Sequence, residues 1–226
     1  MIVTDLTPKG KRAYTVWLDG GKGGVLEKRD VSAYHLEVGA EVSAEHWQKI
    51  VKEVILPRGK KKALSLLELQ DRTTKELHDR LLMADYTEEQ TWDIIAYVVS
   101  FGYIDEKRYA YQYVKNHART KSRWEITQAL LLKGIARELI DSEYERYNEE
   151  TKRRSTDAGA EEDAVRRFVT ARVHEPEMTL EKRRKVLAAL TRKGFSYAAI
   201  RTVLSEYRVA DRAGAGEEYY PEEAGI

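Results

Sequence analysis

Three stretches of the chain share one form: Leu-Leu-Met-Ala-Asp-Tyr (81–86), Leu-Leu-Leu-Lys-Gly-Ile (130–135) and Leu-Thr-Arg-Lys-Gly-Phe (190–195). Each is a leucine, a break and a bulky apolar residue. The segment after each break repeats one helical face, Thr91, Ile94, Ile95 and Val98, then Ile140, Glu143, Tyr144 and Tyr147, then Ile200, Val203, Leu204 and Tyr207. The segment that opens each unit recurs as well, with Ala63 and Leu67, Ala110 and Val114, and Ala164 and Phe168. The pattern predicts three copies of a three-helix unit, over residues 60–105, 106–150 and 161–208. A unit this small cannot bury its apolar face alone, so neighbouring copies must stack. The expected fold class is mainly α, with the tandem repeats forming an elongated curved stack. Such a stack offers a long surface rather than a deep pocket, which suits a polymeric partner.

Helix boundaries follow from local chemistry. Thr73 with Glu76, Thr87 with Gln90, and Ser122 with Glu125 have the capping-box spacing. Gly102, Gly134 and Gly194 each follow an apolar helical stretch, where a residue at positive φ closes the last turn. The first 57 residues differ from the rest. Ile2 to Leu6 and Ala13 to Leu18 have strand composition, with Thr7-Pro8-Lys9-Gly10 as a turn. Asp19 to Gly24 reads as a second turn before a third strand through Val25, Leu26 and Glu27. Asp30 is expected to cap a short helix. Ser43 opens another, with Trp47, Ile50, Val51 and Val54 on one face, ended by Pro57-Arg58-Gly59. A small β-hairpin or meander plus helix therefore precedes the repeats. Asn148 onward is polar, and 151–160 reads as a linker.

The chain contains no cysteine, which removes disulfides, thiolate metal sites and thiol nucleophiles and suits a reducing compartment. Its start lacks the basic and apolar regions of a leader, and no apolar run approaches the roughly 18 residues of a membrane span. A soluble, cytoplasmic protein is expected. The net charge of +1 conceals an asymmetry, because residues 209–226 carry −4 and residues 1–208 carry +5. A basic body with an acidic tail is compatible with a nucleic-acid or nucleoprotein partner, and equally with a solvated surface.

Gly102-Tyr103-Ile104-Asp105-Glu106-Lys107-Arg108-Tyr109-Ala110 closely resembles the signature of the RecX family of recombinase regulators. Ala63 to Leu67 with Arg72 to Leu77 resembles that family's first repeat, and Leu132-Lys133-Gly134-Ile135 the end of the second helix of its second repeat. Ile2-Val3-Thr4 and Arg12 to Asp19 resemble the β-containing extension of members from Gram-positive bacteria. The likeness covers most of residues 1–208, with extra residues from Arg172 to Thr179 in the third copy. It implies a regulator that binds the RecA filament on single-stranded DNA. Such a regulator damps strand exchange, ATP hydrolysis and coprotease activity, without cofactor or metal.

Other motifs are weaker. Gly20-Gly21-Lys22-Gly23-Gly24 lacks the spacing of a phosphate loop and the helix that should follow it, so a hairpin turn is expected. The histidines at 35, 46, 78, 117 and 174 have no ligand spacing, and no nucleophile pairing suggests an enzyme. The candidate contacts to a partner or to DNA are Arg72, Arg119, Lys121, Arg123, Arg166, Arg167, Lys182, Arg183, Arg184, Arg192 and Lys193. Arginine suits bidentate pairing with phosphate or carboxylate, although a solvated helix face has the same pattern. Arg72 and Arg119 hold equivalent positions, where each could also cap the next helix. Tyr109, Tyr113, Tyr144 and Tyr207 lie at core spacing. A competing reading is a direct DNA-binding regulator using a basic helix-turn-helix-like unit. Such readers are usually dimers, and no dimer seam is visible here, so a monomer is expected. Hydrogen exchange tests the tail: amides beyond Val209 should exchange fast, and slow exchange there contradicts a flexible segment.

Overall fold

The computed structural model describes residues 1–154, 159–175 and 177–209, with the backbone alone for 152–154. The acidic segment beyond Val209 and the centre of the expected linker, 155–158, lie outside the described residues. The chain divides into two compact units, residues 1–112 with 129–143 and residues 113–128 with 144–226, so the middle repeat contributes to both.

The chain opens with an antiparallel meander of β1 (Val3–Lys9), β2 (Ala13–Leu18) and β3 (Gly21–Glu27), in that order. Leu18 pairs with Gly21, leaving only Asp19 and Gly20 between them, at φ 50° and 81°. Two positive φ values in a two-residue loop match the twist of the flanking strands. The glycine run, expected as turn, therefore lies mostly in β3. Pro8 is likewise inside a strand and not a turn, but β1 is an edge strand, where a missing amide breaks no ladder. Buried Val3, Val16, Leu18 and Leu26 join Trp47 and Ile50 in one apolar cluster. Asp30, expected as a cap, is instead the third residue of α1 (Lys28–Ala33), and its carboxylate accepts from the Glu27 amide at 2.9 Å.

The largest departure from expectation is at Pro57-Arg58-Gly59. Helix α2 (Ala44–Ile50) does not end there but passes through a π-helical turn, Val51–Ile55, straight into α3 (Leu56–Leu69). In a regular ladder the Pro57 ring would strike the carbonyl one turn earlier and leave it without a donor. The wider π turn just ahead of the proline re-spaces that ladder. Gly59 is a contact point rather than a stop: it is buried, and a Cβ there would overlap Ile94 and approach Tyr86 to 3.0 Å.

The first repeat consists of α3, α4 (Thr74–Leu82) and α5 (Glu88–Ser100), and the second of α6 (Glu106–His117), α7 (Arg123–Leu132) and α8 (Arg137–Arg154). The third consists of α9 (Ala160–Thr170), α10 (Leu180–Arg192) and α11 (Tyr197–Ser205). The capping boxes of Thr73 and Thr87 close reciprocally, as does that of Ser122, with bonds of 3.0 and 3.1 Å. Gly102, Gly134 and Gly194 sit at φ 70°, 84° and 76°. The repeated third-helix face is the buried one: Thr91, Ile94, Ile95 and Val98, then Ile140, Glu143, Tyr144 and Tyr147, then Ile200, Val203 and Leu204. Ala63, Ala110 and Ala164 are buried at equivalent points of the opening helices.

Two further corrections concern connections. Helix α8 runs to Arg154, through residues expected to start the linker, because its charges pair along the helix, as in Arg146–Glu150 at 3.2 Å. The extra residues of the third copy form β4 (Glu177–Met178), which pairs in parallel with β5 (Arg208–Val209). Val173 and Met178 pack into that repeat's core.

Gly59→Ala should destabilise the protein by about 1–3 kcal/mol through overpacking. Adding Ile94→Val should recover part of the loss, and urea midpoints that do not couple in this pair would contradict the packing described.

Candidate functional site

The helices that carry the candidate residues are set by one recurring arrangement. Thr73 Oγ1 accepts from the Glu76 amide at 3.2 Å and donates to the Lys133 carbonyl at 2.6 Å. Lys133 Nζ returns to Glu76 Oε1 at 2.5 Å. Gly134 completes the fit, since a Cβ there would lie 2.7 Å from Lys75 Cβ. The same arrangement joins the second and third repeats. Ser122 Oγ donates to the Lys193 carbonyl at 2.5 Å, Lys193 Nζ meets Glu125 at 2.8 Å, and a Cβ on Gly194 would lie 2.7 Å from Trp124 Cβ. The turn of the first repeat has Ala84 and Asp85 in place of lysine and glycine. There the Lys9 ammonium donates to the Ala84 carbonyl at 3.2 Å and pairs with Asp85, which also takes Lys22 at 2.7 Å.

These interactions set local charge states. Burial alone would raise the Glu76 carboxyl, yet the Lys133 ammonium and the Thr73 amide hold it below its ordinary value. Glu125 is lowered in the same way, against its burial, by Lys193 and the Ser122 amide. Burial would lower Lys133, but Glu76 and Tyr109 raise it. Asp85 is lowered by Lys22 and Lys9.

The candidate cations separate into groups. Half-buried Arg72 donates from Nε to the Leu66 carbonyl at 3.3 Å, serving the end of α3. Arg166 ties α9 to the end of α11, with Nη2 2.7 Å from Glu206 and Nη1 3.2 Å from Asp163. Lys193 directs its ammonium to Glu125. Arg119 faces Asp163 at 3.9 Å, Lys121 lies 5.9 Å from the Tyr113 ring centre, and Arg123 lies 5.1 Å over Tyr144. Arg167, Lys182, Arg184 and Arg192 are exposed and Arg183 is half-buried, and among the described residues these five form no ion pair. The Ser122–Lys193 bond brings distant parts of the sequence together, because Lys121 and Arg123 flank Ser122 and Arg192 precedes Lys193. What the charge pattern missed was the lysine's partner. The available signal was the Lys-Gly pair at 133–134 and again at 193–194, each one repeat after a Ser/Thr-x-x-Glu.

Tandem three-helix units joined by shared caps define a helical-repeat protein. The family profile described as "RecX, second three-helix domain" matches residues 105–142. The chain is 25% identical to the regulatory protein RecX of Clostridium acetobutylicum over 198 residues, covering 88% of this chain and 91% of that one. A solved RecX from Lactobacillus salivarius is similar at 27% identity and TM-score 0.54, covering 67% of this chain and 95% of its own. A crystal structure of a regulatory protein RecX aligns over 90% of this chain and 98% of its own, with TM-score 0.58 at 22% identity. Along most of its length the chain is similar to RecX regulatory proteins, and its middle repeat matches the profile of their second three-helix domain.

The depressed carboxyls give an acid-side prediction. A carboxyl lowered in the folded state stabilises above its unfolded value, and that contribution is lost as pH falls through the folded value. Glu76→Gln with Glu125→Gln should cost about 2 kcal/mol near neutrality. The gap from the parent protein should shrink as the pH drops below the ordinary glutamate value of 4.5. Urea unfolding at several pH values checks this, and a gap independent of pH would contradict it.

Proposed function

We propose that this protein regulates a RecA-type recombinase by binding its filament on single-stranded DNA. In this reading it acts in the cytoplasm, as a monomer, and damps strand exchange, ATP hydrolysis and coprotease activity in DNA repair and the SOS response. The observation that carries the reading is the similarity to RecX regulatory proteins along most of the chain. It is supported by the five cations at Arg167, Lys182, Arg183, Arg184 and Arg192, four of them on α10, which form no ion pair among the described residues. Arginines in that state suit phosphate or the carboxylates of a filament protein. Successive repeats of one chain touch successive protomers, and weak interactions along one polymer accumulate through effective concentration. A molecule at a growing end blocks every later addition. No helix among the described residues is long and apolar enough to cross a membrane.

Adding the purified protein to RecA, single-stranded DNA and ATP should inhibit ATP turnover at a small fraction of the RecA concentration. Inhibition only at stoichiometric amounts, or none, counts against the reading. Tight binding to a palindromic duplex without inhibition supports the direct DNA reader instead. Arg183→Glu with Arg184→Glu should weaken filament binding about tenfold or more while leaving the helical circular-dichroism signal intact. Unchanged inhibition by the folded double variant removes these two residues from the surface.

A further inference from the structure

Aromatic rings in a repeat protein normally fill the layer between helices, as Tyr97 does in part, but Phe101 and Tyr103 of the first repeat do not. Phe101 and Tyr103 are 64% and 49% exposed, and half-buried Tyr97 lies one helical turn before Phe101. Their ring centres form a continuous row, 4.9 Å from Tyr97 to Phe101 and 6.3 Å from Phe101 to Tyr103. Gly102, at φ 70°, turns the chain between the last two rings. The Lys60 ammonium stands 4.4 Å from the centre of the Tyr97 ring, and Lys61 and Lys62, the next residues of α3, are exposed. None of these three lysines forms an ion pair among the described residues. The acids of α5, Glu88, Glu89 and Asp93, lie toward its N-terminal end, away from the Lys60 ammonium at Tyr97.

We infer that Tyr97, Phe101 and Tyr103, with Lys60, Lys61 and Lys62, form a stacking site for single-stranded nucleic acid. Unpaired bases offer apolar faces to exposed rings, while the lysines follow the phosphates. A duplex hides those faces, and a purely electrostatic site would not need the rings. The inference goes beyond filament regulation and concerns a different repeat from the α10 cations.

The test uses the full chain without any recombinase, so its outcome is independent of the filament assay. Fluorescence anisotropy would follow binding to a labelled oligothymidylate of about twelve nucleotides, an abasic strand of equal length and a duplex. The oligothymidylate should bind about tenfold tighter than the abasic strand. Phe101→Ala with Tyr103→Ala should abolish that preference, weakening oligothymidylate binding about tenfold or more, with the salt dependence unchanged. Phe101→Trp should retain the preference, which separates a stacking defect from a folding defect. Replacing the three lysines by glutamine should weaken both single strands and flatten the salt dependence by about 0.7 for each phosphate that is no longer neutralised. Equal affinity for base-bearing and abasic strands, no binding, or an undiminished preference in the double alanine variant would each overturn the inference.

Discussion

A hydroxyl group can accept and donate at once, and the repeats are held together by that capacity. Thr73 and Ser122 each accept an amide from the first turn of their own helix and donate to a carbonyl in the next repeat. Starting the helix and docking the neighbour thus use the same oxygen atom. The acid three residues on has a double task as well, closing the capping box with one oxygen and holding the neighbour's lysine with the other. The turn glycine is required twice over, by its positive φ and by the side chain pressed against it. Few residues specify each joint, so a short motif recurring at repeat spacing reproduces it.

That economy explains what the amino-acid sequence disclosed and what it withheld. Capping boxes and terminal glycines are local, and the third-helix faces follow a 3.6-residue period, so the helices and their buried sides were legible. Pro57 was misleading because its usual effect is to break a helix, and the π turn that absorbs it has no residue signature of its own. Strands β4 and β5 have two residues each, too short for any alternation to show. The joints were half legible: the acids stood out as caps, but nothing within one repeat says that their second partner is a lysine in the next.

The same reasoning sorts the surface. Arg72, Arg166 and Lys193 look, by composition, like the other candidate cations, yet each has a defined internal partner. Charge in a sequence counts cations, whereas geometry decides which ones remain available. Those remaining concentrate on α10, while the exposed rings of Phe101 and Tyr103 stand at the end of α5. Chemically distinct surfaces thus reside on different repeats of a common scaffold.

The uninterrupted run from Ala44 to Leu69 makes a rod of roughly 40 Å. It begins against the β-meander and ends as the opening helix of the first repeat. No loop separates the two, because the helix continues through the π turn from one to the other. The N-terminal extension is therefore built onto the first repeat's own opening helix rather than tethered to it by a linker.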